Sequence, residues 1–291
     1  MNITATLHRT KDYVRDQVRR HIDRQVRKRL NMARGKSEMA NRRALASTVK
    51  SEECLPVPRL KDLGYSPVQC DPEITGQFVS HCQFRLKETT EFKQRGYKPF
   101  FSQLFVPEDY RLDSPVMKFV LNERLLKTIS TYLGCAPFLQ SAELLYSRPS
   151  SGALKSSQMW HRDRHDEIVM KVFVYCHEVS AENGPFTFLP KKAGDAVPEW
   201  RFHYINDDNM RKHVPDYEVQ TLLGPAGSTL LIDSFGCFHQ GSRCKEPRLA
   251  AILDYDTGFG FGKRRRKWLI SAEENEKLSL WQQHALGIAA Q

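Results

Sequence analysis

Two rhythms of apolar and polar positions run along this chain. Between residues 14 and 30, Val14, Val18, Ile22, Val26 and Leu30 recur every four residues among arginines, which predicts a helix with one narrow apolar stripe. Residues 34–75 mix Gly, Ser, Pro and charges without a sustained period and read as loop and linker. From about 115 to 134 the period is helical again (VMKFVLNERLLKTISTYLG), and Gly134 stands where a C-cap would end the helix. Then the runs shorten. SAELLYS (141–147), IVMKVFVYC (168–176), PFTFLP (185–190), STLLIDS (228–234) and RLAAILDY (248–255) are β-rich, and Gly, Pro, Ser and Asn separate them. A helix closes the chain over 272–286, with Ser271 and Glu274 at capping-box spacing and Gly287 as its stop. Many short strands with turn signals predict a mainly β fold with flanking helices: a sandwich, a barrel or a jelly roll.

The run 168–176 has two faces. Met170, Val172, Val174 and Cys176 point one way and should pack on helices, while Val169, Lys171, Phe173 and Tyr175 point the other. A lysine among aromatics suggests a lined cavity. The competing reading is an edge strand with Lys171 in solvent.

Composition narrows the class. The chain has 291 residues, enough for a substantial core. No apolar run approaches membrane-spanning length, and the N-terminus lacks the apolar core of a secretory signal. Its seven cysteines are scattered and never in C-x-x-C, which reads as reduced thiols in a cytoplasmic protein. The net charge of +10 is uneven: residues 1–50 hold 14 Lys/Arg against 4 Asp/Glu, and residues 51–291 balance. The expected organisation is therefore a basic helical extension and linker over 1–50, then a β-rich domain with a C-terminal helix over 51–291. The extension suits a membrane-surface helix, a nucleic-acid-binding arm or a dock for an acidic partner or anionic surface, or a solvated helix packed on the body. Neither it nor the short KRRRK cluster at 263–267 indicates a specific nucleic-acid partner.

Candidate chemistry sits in QMWHRDRHDEIVMKVFVYC, residues 158–176. Positions i and i+2 of extended chain share a side, so His161 and Asp163 can reach one ion, whereas the adjacent His165 and Asp166 diverge. Two imidazoles and one carboxylate on one face of iron leave the opposite positions open for a cosubstrate and oxygen. A second stretch, GPAGSTLLIDSFGCFHQGSRCKEPRLAAILDY (224–255), supplies a late histidine, His239, and an arginine opening the next strand, Arg248. An arginine there can meet the distal carboxylate of 2-oxoglutarate as a fork. Arg243 is its rival, but it lies in the Gly/Ser loop and reads as solvated.

Across roughly residues 95–258 the sequence resembles the phytanoyl-CoA dioxygenase family of iron(II)/2-oxoglutarate oxygenases. The likeness rests on YLG at 132–134, ELLYSRPSSG, WHRD at 160–163, ENGPFTFLP at 182–190 and H-x8-R at 239–248. It implies a double-stranded β-helix (jelly roll, cupin-like), iron bound by His161, Asp163 and His239, 2-oxoglutarate bound by Arg248 beside Phe173, and oxygen as the co-reactant. The implied reaction is hydroxylation of an unactivated C–H bond of a small-molecule substrate, with 2-oxoglutarate decarboxylated to succinate and carbon dioxide. A carboxylate at position 163 fills the iron position that halide would otherwise take. LPKKAG departs from the family's usual PGSH or PGTH after the ENG turn. Position alone makes Glu143, Lys171, Trp160 and Arg162 candidate substrate contacts. His165, His177, His203 and His213 have no partner at ligand spacing. The alternatives are a non-catalytic jelly-roll binding protein and a different metal enzyme on a cupin-like barrel.

Overall fold

The computed structural model describes residues 22–288 apart from Arg24, Arg34, Tyr97, Ser150, 199–203, 261–267 and Leu269. Val14, Val18, His203 and the KRRRK cluster lie outside the described residues. Among the described residues, ten strands form two antiparallel sheets: β1 (Tyr65–Val68), β2 (Gln94–Arg95), β3 (Lys98–Gln103), β4 (Phe138–Ser147), β5 (Met170–Tyr175), β6 (Thr187–Phe188), β7 (Gln220–Thr221), β8 (Thr229–Asp233), β9 (His239–Gln240) and β10 (Arg248–Asp256). The larger sheet has the order β1-β8-β5-β10-β4-β3-β2 and the smaller β7-β6-β9. Together they make a double-stranded β-helix with helices against the outer face of the large sheet. All five β-rich runs of the sequence are strands, while β1, β2 and β3 lie in segments with no strand pattern of their own.

The alternation in β5 sets the layers. Met170, Val172, Val174 and Cys176 are fully buried in the core between sheet and helices, with Leu144, Leu231, Ala251 and Leu253 from neighbouring strands. Helices α1 (Lys36–Ser47), α2 (Pro72–Glu88), α3 (Pro115–Val120), α4 (Glu123–Leu133) and α5 (Leu280–Leu286) cover that face. On α4, Leu125, Leu126, Ile129 and Leu133 face inward, and each such side chain contributes about 1.5–3 kcal/mol. Asn122 caps its first turn through Leu125 N, and Gly134 ends it at φ 69°. The 115–134 helix is thus two helices, and the C-terminal helix is likewise broken, into Ala272–Glu276 and α5. The Ser271–Glu274 capping box and the Gly287 stop are both present.

The expected linker differs most. Residues 36–47 form α1, whose Arg42 is fully buried and donates to the carbonyls of Ala136 (2.9 Å) and His284 (2.6 Å). This helix is anchored by one buried charge rather than by an apolar stripe, so periodicity passed over it. Ahead of it the helical residues 22–33 dock by their polar side: Lys28 pairs with Glu167, and Asn31 Nδ2 donates to Gly260 O at 2.8 Å. The stripe faces outward, with Ile22, Val26 and Leu30 at 54%, 50% and 50% exposure. Among the described residues, no helix is long and apolar enough to cross a membrane.

Candidate metal centre and anion cradle

The segment before β5 runs beside β9 in an isolated antiparallel bridge, His161 to His239, with backbone hydrogen bonds of 3.0 and 2.9 Å in the two directions. This pairing brings two distant histidines side by side, their ring centroids 4.2 Å apart. Two residues on, Asp163 N donates to Ser234 O at 2.9 Å, which fixes the carboxylate on the same side as His161. Ligand atoms of His161, Asp163 and His239 all lie within 4.8 Å of one another; among the described residues this is the one such cluster.

The tautomers are set by the backbone. His161 Nδ1 donates to Met159 O (2.9 Å) and His239 Nδ1 to Cys237 O (3.1 Å). A carbonyl can only accept, so both protons sit on Nδ1 and both Nε2 lone pairs are free. Burial, then the neighbouring His239, holds His161 well below the usual histidine range and keeps it neutral. Burial would raise Asp163, but Lys171 and the two imidazoles outweigh it, so this carboxyl lies well below its ordinary value. Lys171 Nζ is 2.6 Å from Asp163 Oδ2, yet that buried oxygen receives no well-directed hydrogen bond. Two histidines that present Nε2 beside an ionised, under-satisfied carboxylate are a donor set suited to a first-row divalent ion.

The cluster opens on a cavity between the sheets enclosing about 610 Å3, part of it open to solvent. Arg248, 3% exposed, enters from the start of β10. It donates from Nη1 to Gly184 O and from Nη2 to Ser242 Oγ (2.6 Å), while its buried Nε has no partner among the described residues. Gly184 sits at φ 58° where a Cβ would come within 2.6 Å of the Arg243 backbone, so only glycine delivers that carbonyl. Ser242 is one of two non-glycine residues with positive φ among the described residues, at 60°. A buried guanidinium with a spare donor is a cradle for a carboxylate. Phe173 lines the same cavity, stacked on Phe186 at 4.0 Å, and Phe186 leans on His239 at 5.4 Å.

The other candidates divide. Glu143 and Lys171 line the cavity. Trp160 and Arg162 do not. As neighbours of His161 they point to the opposite side, where Trp160 Nε1 donates to Asp207 (2.9 Å) and Arg162 lies 4.3 Å over the Phe238 ring. Arg243 is not solvated: it forks onto Asp207 at 2.7 and 3.0 Å and also donates to Gln158 O, away from the cavity. His165 joins no ligand cluster among the described residues; its Nε2 meets Asp254 at 3.2 Å. Burial would lower it, but Asp254 and its neighbours push it up to about 9. Sequence reasoning missed Asp254, Ser141, Gln240 and Ser242 as cavity-lining residues. The signal for two of them was there: Asp254 and Ser141 share the inward phase of β10 and β4 with Ile252 and Glu143.

Fold and site together define a double-stranded β-helix carrying a two-histidine, one-carboxylate cluster. No protein-family model matches the chain, and no curated protein matches it. Among solved structures it is similar to EctD from S. alaskensis with bound Fe (17% identity, TM-score 0.49, covering 76% of this chain and 83% of that one). Similar too are the non-heme alpha ketoglutarate dependent carbocyclase SnoK from nogalamycin biosynthesis (16%, 0.47, 72% and 85%) and HygX from Streptomyces hygroscopicus with nickel and 2-oxoglutarate bound (15%, 0.46, 72% and 87%). Likeness of this order assigns neither substrate nor reaction.

Proposed function

We propose that the protein is an iron(II)- and 2-oxoglutarate-dependent oxygenase that hydroxylates an unactivated C–H bond of a small-molecule substrate. One observation carries this reading: a two-histidine, one-carboxylate cluster and a buried arginine with an unpartnered Nε share one cavity. His161, Asp163 and His239 would hold the metal on one face, leaving room opposite for a chelating keto acid and oxygen. Arg248, with Ser242 at its side, would take the far carboxylate of 2-oxoglutarate. Bound iron supplies the oxygen activation that couples loss of carbon dioxide from 2-oxoglutarate to oxidation of the substrate. One oxygen atom ends in succinate and the other in the product hydroxyl.

The chain's own contribution is orientation and exclusion. The Met159 and Cys237 carbonyls aim the two imidazoles. Phe173 and Phe186 close one wall against water. Glu143 and Lys171 line the same cavity and would meet the substrate there. The order of WHRD, ENGPFTFLP and His239-x8-Arg248 supports a place among phytanoyl-CoA dioxygenase-like enzymes.

Release of labelled carbon dioxide from carboxyl-labelled 2-oxoglutarate by the full chain tests the reading. Slow, iron-dependent release without added substrate, abolished in Asp163→Ala, is expected. Iron and 2-oxoglutarate both bound with no release would instead identify a binding protein.

A further inference from the structure

Lys171 is an unusual neighbour for a metal cluster. It stands on the inner face of β5, its side chain 15% exposed, with its ammonium 2.6 Å from Asp163 Oδ2. That same oxygen is 3.4 Å from His239 Nε2. The ammonium therefore lies against the locus a metal would share with Asp163 and His239. Burying a cation on a strand face beside Phe173 costs desolvation, which Lys171 must recover from carboxylates. It has them on two sides. Asp163 is one, and on the other are Asp254, its register partner on β10, and Glu143 on β4 beyond it. Asp254 also faces His165 Nε2 at 3.2 Å.

The charges fix the consequence. Two neutral imidazoles and one carboxylate leave a divalent ion with one uncompensated positive charge. Lys171 adds a second beside it, Arg248 brings a third into the same cavity, and Glu143 with the His165-paired Asp254 offsets only part of this charge. Like charges at this separation repel strongly in a partly buried site. A dianionic ligand in the cavity offsets them.

We propose that Lys171 is a positioning residue that couples the metal to the dianionic cosubstrate: it holds Asp163 in the metal-free protein, opposes the metal alone, and is compensated when 2-oxoglutarate arrives. The inference rests on the iron/2-oxoglutarate reading. Asp254, opposite Lys171 on β10, and Glu143 in the same cavity offer carboxylates to the ammonium once Asp163 is released, so Lys171 need not turn out to solvent. Metal and cosubstrate then bind together more tightly than the product of their separate affinities, and the coupling is reciprocal.

Manganese(II) titrations of the full chain, with and without saturating 2-oxoglutarate and followed by the resonance of free manganese, read this coupling without turnover. In the wild type, 2-oxoglutarate should tighten manganese binding at least about tenfold. Lys171→Met and Lys171→Gln should bind manganese alone roughly tenfold more tightly than wild type, with the effect of 2-oxoglutarate reduced to less than about threefold. Lys171→Arg should restore the wild-type pattern, which a merely structural lysine would not require. Glutamine keeps a polar group at the site should methionine impair folding. Neutral variants that bind manganese no more tightly than wild type, or that keep the full coupling, overturn the inference and leave the oxygenase reading standing. A wild-type chain that binds neither manganese nor 2-oxoglutarate removes both.

Discussion

Replacing Arg248 by glutamine removes the buried guanidinium from the end of the cavity where Gly184 and Ser242 hold it. The guanidinium is 3% exposed, spends one donor on Gly184 O and one on Ser242 Oγ, and keeps its buried Nε free. Truncating one partner of a buried, hydrogen-bonded charge pair costs about 2–5 kcal/mol, or roughly 30-fold to several-thousand-fold in affinity. Glutamine retains an amide donor that can reach toward Ser242, which places the expected loss near 100-fold, about 2.7 kcal/mol. Isothermal titration of 2-oxoglutarate into the manganese-loaded protein measures it. Manganese affinity in the absence of 2-oxoglutarate should change less than about threefold, because Arg248 reaches none of the three ligands. Arg243→Gln is the control: it loses the fork to Asp207 and some stability, and leaves 2-oxoglutarate affinity within about threefold. If Arg243→Gln abolishes 2-oxoglutarate binding and Arg248→Gln does not, the anion cradle has been assigned to the wrong arginine.

Three further outcomes follow from the packing. Gly184→Ala must relieve a Cβ contact of 2.6 Å with the Arg243 backbone at φ 58°, so chemical denaturation should show a loss of at least about 2 kcal/mol together with weaker 2-oxoglutarate binding; an alanine variant of wild-type stability would contradict the close approach. Arg42→Met strips hydrogen bonds from the buried carbonyls of Ala136 and His284 and removes the ion pair between Arg42 and Glu38, a cost of about 3–5 kcal/mol that a thermal melt should register as a large drop in Tm. Burial, and then Arg42, depresses His284 to about 4. The unfolded chain takes up that proton near pH 6.5 while the folded one resists it, so stability present above about 6.5 should be lost as pH falls toward 4, by up to roughly 3 kcal/mol. His284→Leu should flatten that slope in urea titrations at pH 7 and 4.5, and an unchanged slope would show that another group carries it.

The His161–Asp163–His239 cluster was legible because its geometry constrains spacing: i and i+2 in extended chain share a side, and a late histidine can return beside them only on a neighbouring strand. The same alternation, applied to Trp160 and Arg162, would have excluded them, since flanking His161 puts them on the opposite face. Strands β4, β5, β8 and β10 announced themselves by apolar runs buried on both faces. Helix α1 did not, because Arg42 and two carbonyls from distant segments hold it, and no local pattern records a partner 94 or 242 residues away. The outward Ile22–Val26–Leu30 row was equally illegible: periodicity finds a stripe but not which side of the helix meets the body. The Lys171–Asp163 pair joins residues eight apart across a loop, and only the fold decides that this lysine turns toward the carboxylate.

The central claim is that His161, Asp163 and His239 hold iron next to an Arg248-anchored keto acid. Anaerobic addition of iron(II) and 2-oxoglutarate to the full chain, followed by visible absorption, tests it directly, since a keto acid chelating iron(II) gives a charge-transfer band that neither component shows alone. The account predicts one iron per chain, a band that appears only when both are present, and its loss in His161→Ala and in His239→Ala. A band of wild-type intensity in either alanine variant, or iron bound with no band at saturating 2-oxoglutarate, would contradict it.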